Sequence, residues 1–207
     1  MDNGVISGIS FEQEDDAVNV GNDVIMPGVI DAHVHVNEPG RTEWEGFETA
    51  TKAAAAGGIT SIIDMPLNAS PVTTSLAALR EKQEAAQDKK HVNVGYYGGL
   101  IPGNLDQLAP MMQAGVLGIK CFLVHSGIDE FPNVTEQDID AAMPLIAAYG
   151  LPLLVHCEID EQAAACELDS KPGSYTEYLA SRPKQWENDA INMMIRLCRK
   201  HRCRVHI

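Results

Sequence analysis

Apolar residues along this chain come in two alternating rhythms. Short β-branched runs of a strand's length are separated by longer stretches whose apolar side chains recur every three or four positions, as on one face of a helix. The first run is Val29-Ile30-Asp31-Ala32-His33-Val34-His35-Val36. A helix is expected next over residues 45–56, ended by Gly57-Gly58, then a strand over 59–65. The rhythm continues with a helix over 76–89 entered through Thr73-Thr74-Ser75 as caps, a strand over 92–100 and a short helix over 105–114. A strand over 117–124, a helix over 136–149 with Thr135 as N-cap and Gly150 closing it, and a strand over 151–157 follow. A short helix over 161–168, a loop holding Pro172-Gly173, a long helix over 186–201 and the start of a sixth strand over 203–207 complete the pattern. Ahead of it, residues 1–24 read as short strands, Val5-Ile6 and Ile9-Ser10-Phe11, between polar turns, too little to be a domain alone.

Strands that alternate with helices and show no hairpin signal between them pair in parallel through right-handed crossovers. An open doubly wound sheet and a (β/α)8 barrel both fit. No Gly-x-Gly-x-x-Gly follows the first strand, which disfavours a dinucleotide site. The polar residues His33, His35, Asp64, Lys120 and His156 fall at C-terminal strand ends, where a barrel carries its chemistry. The expectation is therefore an α/β chain, a partial (β/α)8 TIM-type barrel showing about six of the eight strands over residues 25–207. The sequence then reads as the front part of a longer enzyme.

Composition narrows the function. The formal charge is −14, from 15 basic and 29 acidic residues, with no basic block, which disfavours nucleic acid and anionic membranes as partners. No apolar run approaches the ~20 residues that span a bilayer. The N-terminus has no charged-then-apolar signal peptide. Five cysteines, Cys121, Cys157, Cys166, Cys198 and Cys203, form no Cys-x-x-Cys or other framework and suit a reducing, cytoplasmic setting.

Strand geometry then selects candidate chemistry. Side chains at i and i+2 of a strand project together, so Asp31, His33 and His35 share one face, and two imidazoles held side by side form a metal-binding fork. Lys120 sits in the apolar strand Gly118-Ile119-Lys120-Cys121-Phe122-Leu123, where a lysine is costly unless neutralised, paired or snorkelling from the strand end. His156 ends the apolar run Leu153-Leu154-Val155-His156, either as a satisfied core histidine or as a ligand.

The stretch Met26-Pro27-Gly28-Val29-Ile30-Asp31-Ala32-His33-Val34-His35 resembles the amidohydrolase superfamily, specifically the cyclic amidohydrolases: dihydroorotases, hydantoinases and allantoinases. The run Asn37-Glu38-Pro39-Gly40-Arg41-Thr42-Glu43-Trp44-Glu45-Gly46-Phe47, with Asp64-Met65-Pro66-Leu67-Asn68 and Ile119-Lys120-Cys121-Phe122-Leu123 followed by Ser126-Gly127, is most similar to allantoinases. The resemblance runs from about residue 20 to the end. It implies two divalent metal ions, usually zinc. His33 and His35 match ligands of the first, Lys120 the lysine whose carbamate bridges both, and His156 a ligand of the second. Asp31 either orients a ligating imidazole from beneath or bonds the backbone at the strand start. In the family's His-x-x-His pattern His206 matches the first histidine, and the second would fall just past Ile207, so His206 is not assigned as a ligand. The general-base aspartate is likewise expected beyond Ile207, leaving no catalytic residue within the chain. Residues 1–24 correspond to a remnant of the family's small β-sandwich.

The implied reaction is hydrolysis of a cyclic amide, allantoin to allantoate. Dihydroorotases read their substrate's carboxylate with an arginine at the position of Asn37; a neutral amide there suits a neutral ureide or other cyclic amide. Asn68 and Ser126 join Asn37 as candidate substrate contacts, with a turn-forming role the alternative for Asn68. His125 is a weaker candidate, and Arg41 is expected in a salt bridge to Glu43 or Glu45. A homo-oligomer is expected. The competing readings are a hydantoinase or dihydropyrimidinase, a dihydroorotase, or a catalytically incomplete piece.

Overall fold

The computed structural model describes residues 4–11, 17–160 and 175–207. Its elements, in order, are β1 Val29–Val34, α1 Phe47–Ala56, β2 Ile59–Asp64, α2 Leu76–Ala85, β3 Asn93–Tyr96, β4 Gly98–Gly99, α3 Leu105–Gln113, β5 Ile119–Phe122, α4 Glu136–Ala148, β6 Pro152–His156, α5 Tyr175–Ala180, α6 Gln185–His201 and β7 Arg204–His206. Every pairing between strands is parallel, in the orders β1-β2-β3 and β4-β5-β6-β7. This is the strand–helix alternation of a TIM-type barrel, laid down in chain order and represented by six strand positions.

The strand expected over 92–100 is two short strands, which is a correction to the sequence reading. The break falls at Tyr97. Its N–H donates to the Asp64 carbonyl (3.0 Å), while the Leu117 N–H donates to Tyr96 (2.9 Å) and Gly98 N–H to Gly118 (3.0 Å). The chain thus leaves β2 and takes up β5 within one residue. Crowding fixes the two glycines that follow: a Cβ on Gly99 would stand 2.4 Å from the Phe131 ring, and one on Gly98 3.0 Å from Ile119.

Strand alternation sorts side chains into two layers. Ile119, Cys121, Leu153, Val155 and Val36 join the main core with Phe47, Leu79, Leu108, Ile139, Met143 and Met194 from the helices and loops. Leu154 belongs instead to a smaller cluster with Met65, Leu67, Val72, Tyr97 and Phe131 on the opposite face. The helix-covered face is continuous and apolar; the other carries the polar strand-end residues.

Helix ends follow local capping except where a distant group intervenes. Ser75 accepts from Ala78 N–H (3.2 Å) at the start of α2, and Thr135 forms a capping box with Asp138 at α4. Helix α1 begins at Phe47 rather than residue 45 because the buried Glu38 carboxylate accepts the Phe47 N–H at 2.9 Å. Helix α5 forms where only a loop was read. The short helix expected over 161–168 and the Pro172-Gly173 loop lie outside the described residues. Before residue 24 Val5 makes a single bridge, and Ile9-Ser10-Phe11 form no strand. Their apolar side chains are largely exposed, and strands that bury nothing do not hold. No described helix is long and apolar enough to cross a membrane.

Candidate metal centre

The polar face of the sheet borders a cavity of about 400 Å³ lined by His33, Lys120, His156 and His206, with Met65 and Leu154 beneath them. Alternation explains the convergence. Lys120 lies between Ile119 and Cys121, both in the main core, and so points away from it. His156 is two residues from Leu154 and shares its face. His206 is the register partner of Leu154, next to the core-facing Val205. Residues of β1, β5, β6 and β7 therefore bound one space.

His35 does not line the cavity. Its ring lies 5.3 Å from that of His33, tilted by 46°. Both imidazoles are held below the usual histidine value. For His33 the causes are desolvation, then the charge of Lys120; for His35, desolvation, then His33. Neutral rings with free lone pairs are the form that ligates metals.

Lys120 is only 7% exposed. Its Nζ stands 4.8 Å over the Phe122 ring, and among the described residues it has neither a carboxylate nor a hydrogen-bond acceptor. Burial lowers its pKa. Phe122 also stacks on His156, centroids 5.1 Å apart. His156 Nε2 faces Glu158 Oε2 at 3.3 Å, and Glu158 accepts in turn from Arg182 at 3.2 Å.

Several candidates sit elsewhere than the sequence reading put them. Asp31 takes the second of the two roles open to it: its Oδ1 accepts the His33 backbone N–H (3.0 Å), so the carboxylate is bound to the strand. Asn37, Asn68 and Ser126 do not line the cavity. The Asn37 backbone ties Glu45 and Arg41 into a turn. The Ser126 hydroxyl donates to the Phe131 carbonyl at 2.6 Å, closing its own loop. Asn68 Nδ2 lies 3.3 Å from His35 Nδ1. Arg41 pairs with Glu130 (3.2 Å) rather than Glu43 or Glu45, and lies over Trp44. His125 is exposed beside Asp129.

Two features escaped the sequence reading. His206 shares the cavity, and the signal for it was its alternation with Val205. Asp64, at the end of β2, is not open to a substrate: it is fully buried against Lys82 of α2 (2.7 Å) and accepts the Val36 N–H (2.7 Å). Nothing in the sequence pairs Lys82 with it.

Among the described residues no three His, Cys, Asp or Glu side chains converge tightly enough to hold a metal by themselves. The cavity is rich in nitrogen donors, also takes in Glu158 and Glu187, and contains one buried lysine bonded to no carboxylate among the described residues. This donor set fits a metal pair if that lysine becomes an anionic ligand.

Known proteins place this arrangement. The model of the amidohydrolase family matches residues 24–205. The allantoinase of Streptomyces avermitilis is 48% identical over 189 residues, 91% of this chain and 42% of that protein. The mitochondrial allantoinase of Aquarana catesbeiana is 47% identical over 190 residues, 92% of this chain and 39% of that protein. Among solved structures, the L-hydantoinase (dihydropyrimidinase) of Arthrobacter aurescens superposes with a TM-score of 0.76 at 34% identity, over 87% of this chain and 41% of that one. The chain thus spans well under half the length of the relatives it matches. With the family's pattern matched over nearly all of its residues and the barrel's strand order in place, this chain belongs to the amidohydrolase family.

Proposed function

We propose that the protein is a metal-dependent cyclic amidohydrolase that opens the hydantoin ring of allantoin to give allantoate. The observation that carries this is the shared cavity: His33, Lys120 and His156, from three separate strands, border one space, and the buried lysine is bonded to no carboxylate among the described residues. The names of the relatives support the substrate.

His33, His35, Lys120 and His156 would hold two divalent cations, zinc the first choice for imidazole-rich sites. When bound, the metal pair supplies hydroxide near neutral pH and polarises the ring carbonyl. The chain's own part is preparation. Burial favours the free amine of Lys120, whose lone pair attacks carbon dioxide; an N–C bond forms as one C=O π bond opens onto oxygen, and one N–H proton passes to solvent, giving a carbamate anion. That anion adds negative charge beside the neutral imidazoles. The partly desolvated His33 and His35 stay neutral and keep their lone pairs available. Glu158 is bound to His156 and Arg182, and so orients the ring.

The second reading is a hydantoinase, favoured by the superposition on the Arthrobacter enzyme. Allantoin, dihydrouracil and dihydroorotate offered to the zinc-loaded product of the complete reading frame separate the two. Faster turnover of allantoin is expected; preference for dihydrouracil, which favours the second reading, or for dihydroorotate overturns the substrate assignment. For the compartment, the free state of Cys121, Cys157, Cys198 and Cys203 supports a reducing one.

A further inference from the structure

Phe122 is the last residue of β5, and strand alternation places it on the same face as Lys120. Its register partner on β6 is His156, while Lys120 stands opposite Leu154. The ring therefore occupies the corner next to both side chains. Lys120 Nζ lies 4.8 Å from its centroid, and the His156 ring stacks on it at 5.1 Å with the planes 19° apart. Lys120 and His156 border the cavity; Phe122 stands behind them and does not line it.

The ring is itself held in place. Phe131 meets it edge-on, centroids 5.7 Å apart and planes at 76°, the arrangement that aromatic quadrupoles prefer. Phe131 is fully buried, and its ring packs so closely on Gly99 that a Cβ there would stand 2.4 Å away. Its carbonyl accepts the Ser126 hydroxyl (2.6 Å), which closes the loop that carries it. A line of contacts thus runs from β4 through Phe131 to Phe122, and from there to Lys120 and His156. A long lysine side chain keeps its rotamer freedom unless something packs against it. Here the aromatic face does so, and its charge distribution also gives a direction. The negative face attracts an ammonium group and repels carboxyl oxygens, so a carbamate formed on Nζ turns its oxygens away from the ring and towards the cavity.

We propose that Phe122 is a positioning residue for Lys120 and His156: one braced ring backs both side chains and fixes the separation of their heads in the cavity. The inference rests on the metal reading above and deepens it, because the spacing of two cations follows from the spacing of the groups that hold them. It also gives a reason for an aromatic residue, rather than an aliphatic one, at the end of β5.

The test uses the product of the complete reading frame and reads position and binding separately. A ring stacked on His156 moves the carbon-bound protons of the imidazole to high field, and NMR of the histidine-labelled, metal-free protein records that displacement. Phe122→Leu and Phe122→Met both remove the ring and keep apolar bulk, so that one failing to fold leaves the other; Phe122→Tyr keeps the ring. The His156 signals are expected to move to lower field in the two ring-free variants and to stay in place in Phe122→Tyr. Zinc affinity is expected to fall about tenfold or more in the ring-free variants and to recover in Phe122→Tyr. A merely structural role would lower the melting temperature of the ring-free variants and leave the His156 signals and the zinc affinity where they were. That result overturns the assignment of Phe122, and so does a moved His156 signal with unchanged zinc affinity; in both, zinc binding by the wild type leaves the metal reading standing. A wild-type protein that binds no zinc refutes the metal reading and the assignment of Phe122 with it.

Discussion

Three side chains carry most of what can be tested residue by residue. Asp64 and Lys82 are both at most 1% exposed, and burial outweighs the lysine's pull, pushing the Asp64 carboxyl up to about 6. A folded-state value above the ordinary 3.8 means that this group's contribution to stability is full below 3.8 and is lost as pH rises through about 6. Lys82→Met strands the carboxylate and is expected to cost about 3–5 kcal/mol near pH 8. The loss should shrink as pH falls towards about 6, because without Lys82 the Asp64 carboxyl titrates higher still and takes its proton first. Urea unfolding at both pH values checks this, and a pH-independent loss would refute the charge explanation. Lys120 is the opposite case, a buried cation with no partner to strand. Lys120→Met should leave the metal-free melting temperature unchanged or higher, while zinc binding drops below that of the wild type; melting curves and a zinc titration read the two effects separately. At Gly99 a methyl group meets Phe131, so Gly99→Ala is expected to cost about 1–3 kcal/mol in denaturant unfolding.

Elements depend on caps, and caps differ in how far they reach. The capping box at α4 is local, Thr135 with Asp138 three residues on, and was readable from the sequence. Thr135→Ala should cost about 1 kcal/mol. The start of α1 is set by Glu38, nine positions before the N–H it accepts and also paired with Lys89. Glu38→Ala is expected to cost about 1–2 kcal/mol and to fray the first turn of α1, which amide exchange at Phe47 would report. No spacing rule links residues 38, 47 and 89, so the sequence pattern began that helix two residues early. The third strand shows the same limit. Its apolar run over 92–100 is continuous, but the switch from β2 to β5 at Tyr97 depends on where two other strands lie.

Across the whole molecule, the strands bring β1 and β7 to one cavity although His33 and His206, which line it, are 173 positions apart in the chain. Val24, Ile25, Met26, Val29 and Ile30 are each at least half exposed. An apolar surface beside the edge strand β1 favours association. A protein of these 207 residues is expected to sediment as more than a monomer, and Ile30→Lys to reduce that association; a single monomeric species at all concentrations would refute it. By itself the sequence determined the alternation of strands and helices, the face on which His33, Lys120 and His156 lie, and the family, because period and motif are local properties of the chain. Only the tertiary structure decided the contents of the cavity's walls. It placed His206 in them and kept Asn37, Asn68 and Ser126 out, bound Asp64 to Lys82, and turned Asn68 onto His35. Those outcomes depend on which distant groups compete for each hydrogen bond once the strands are side by side, and that competition leaves no periodic trace in the chain.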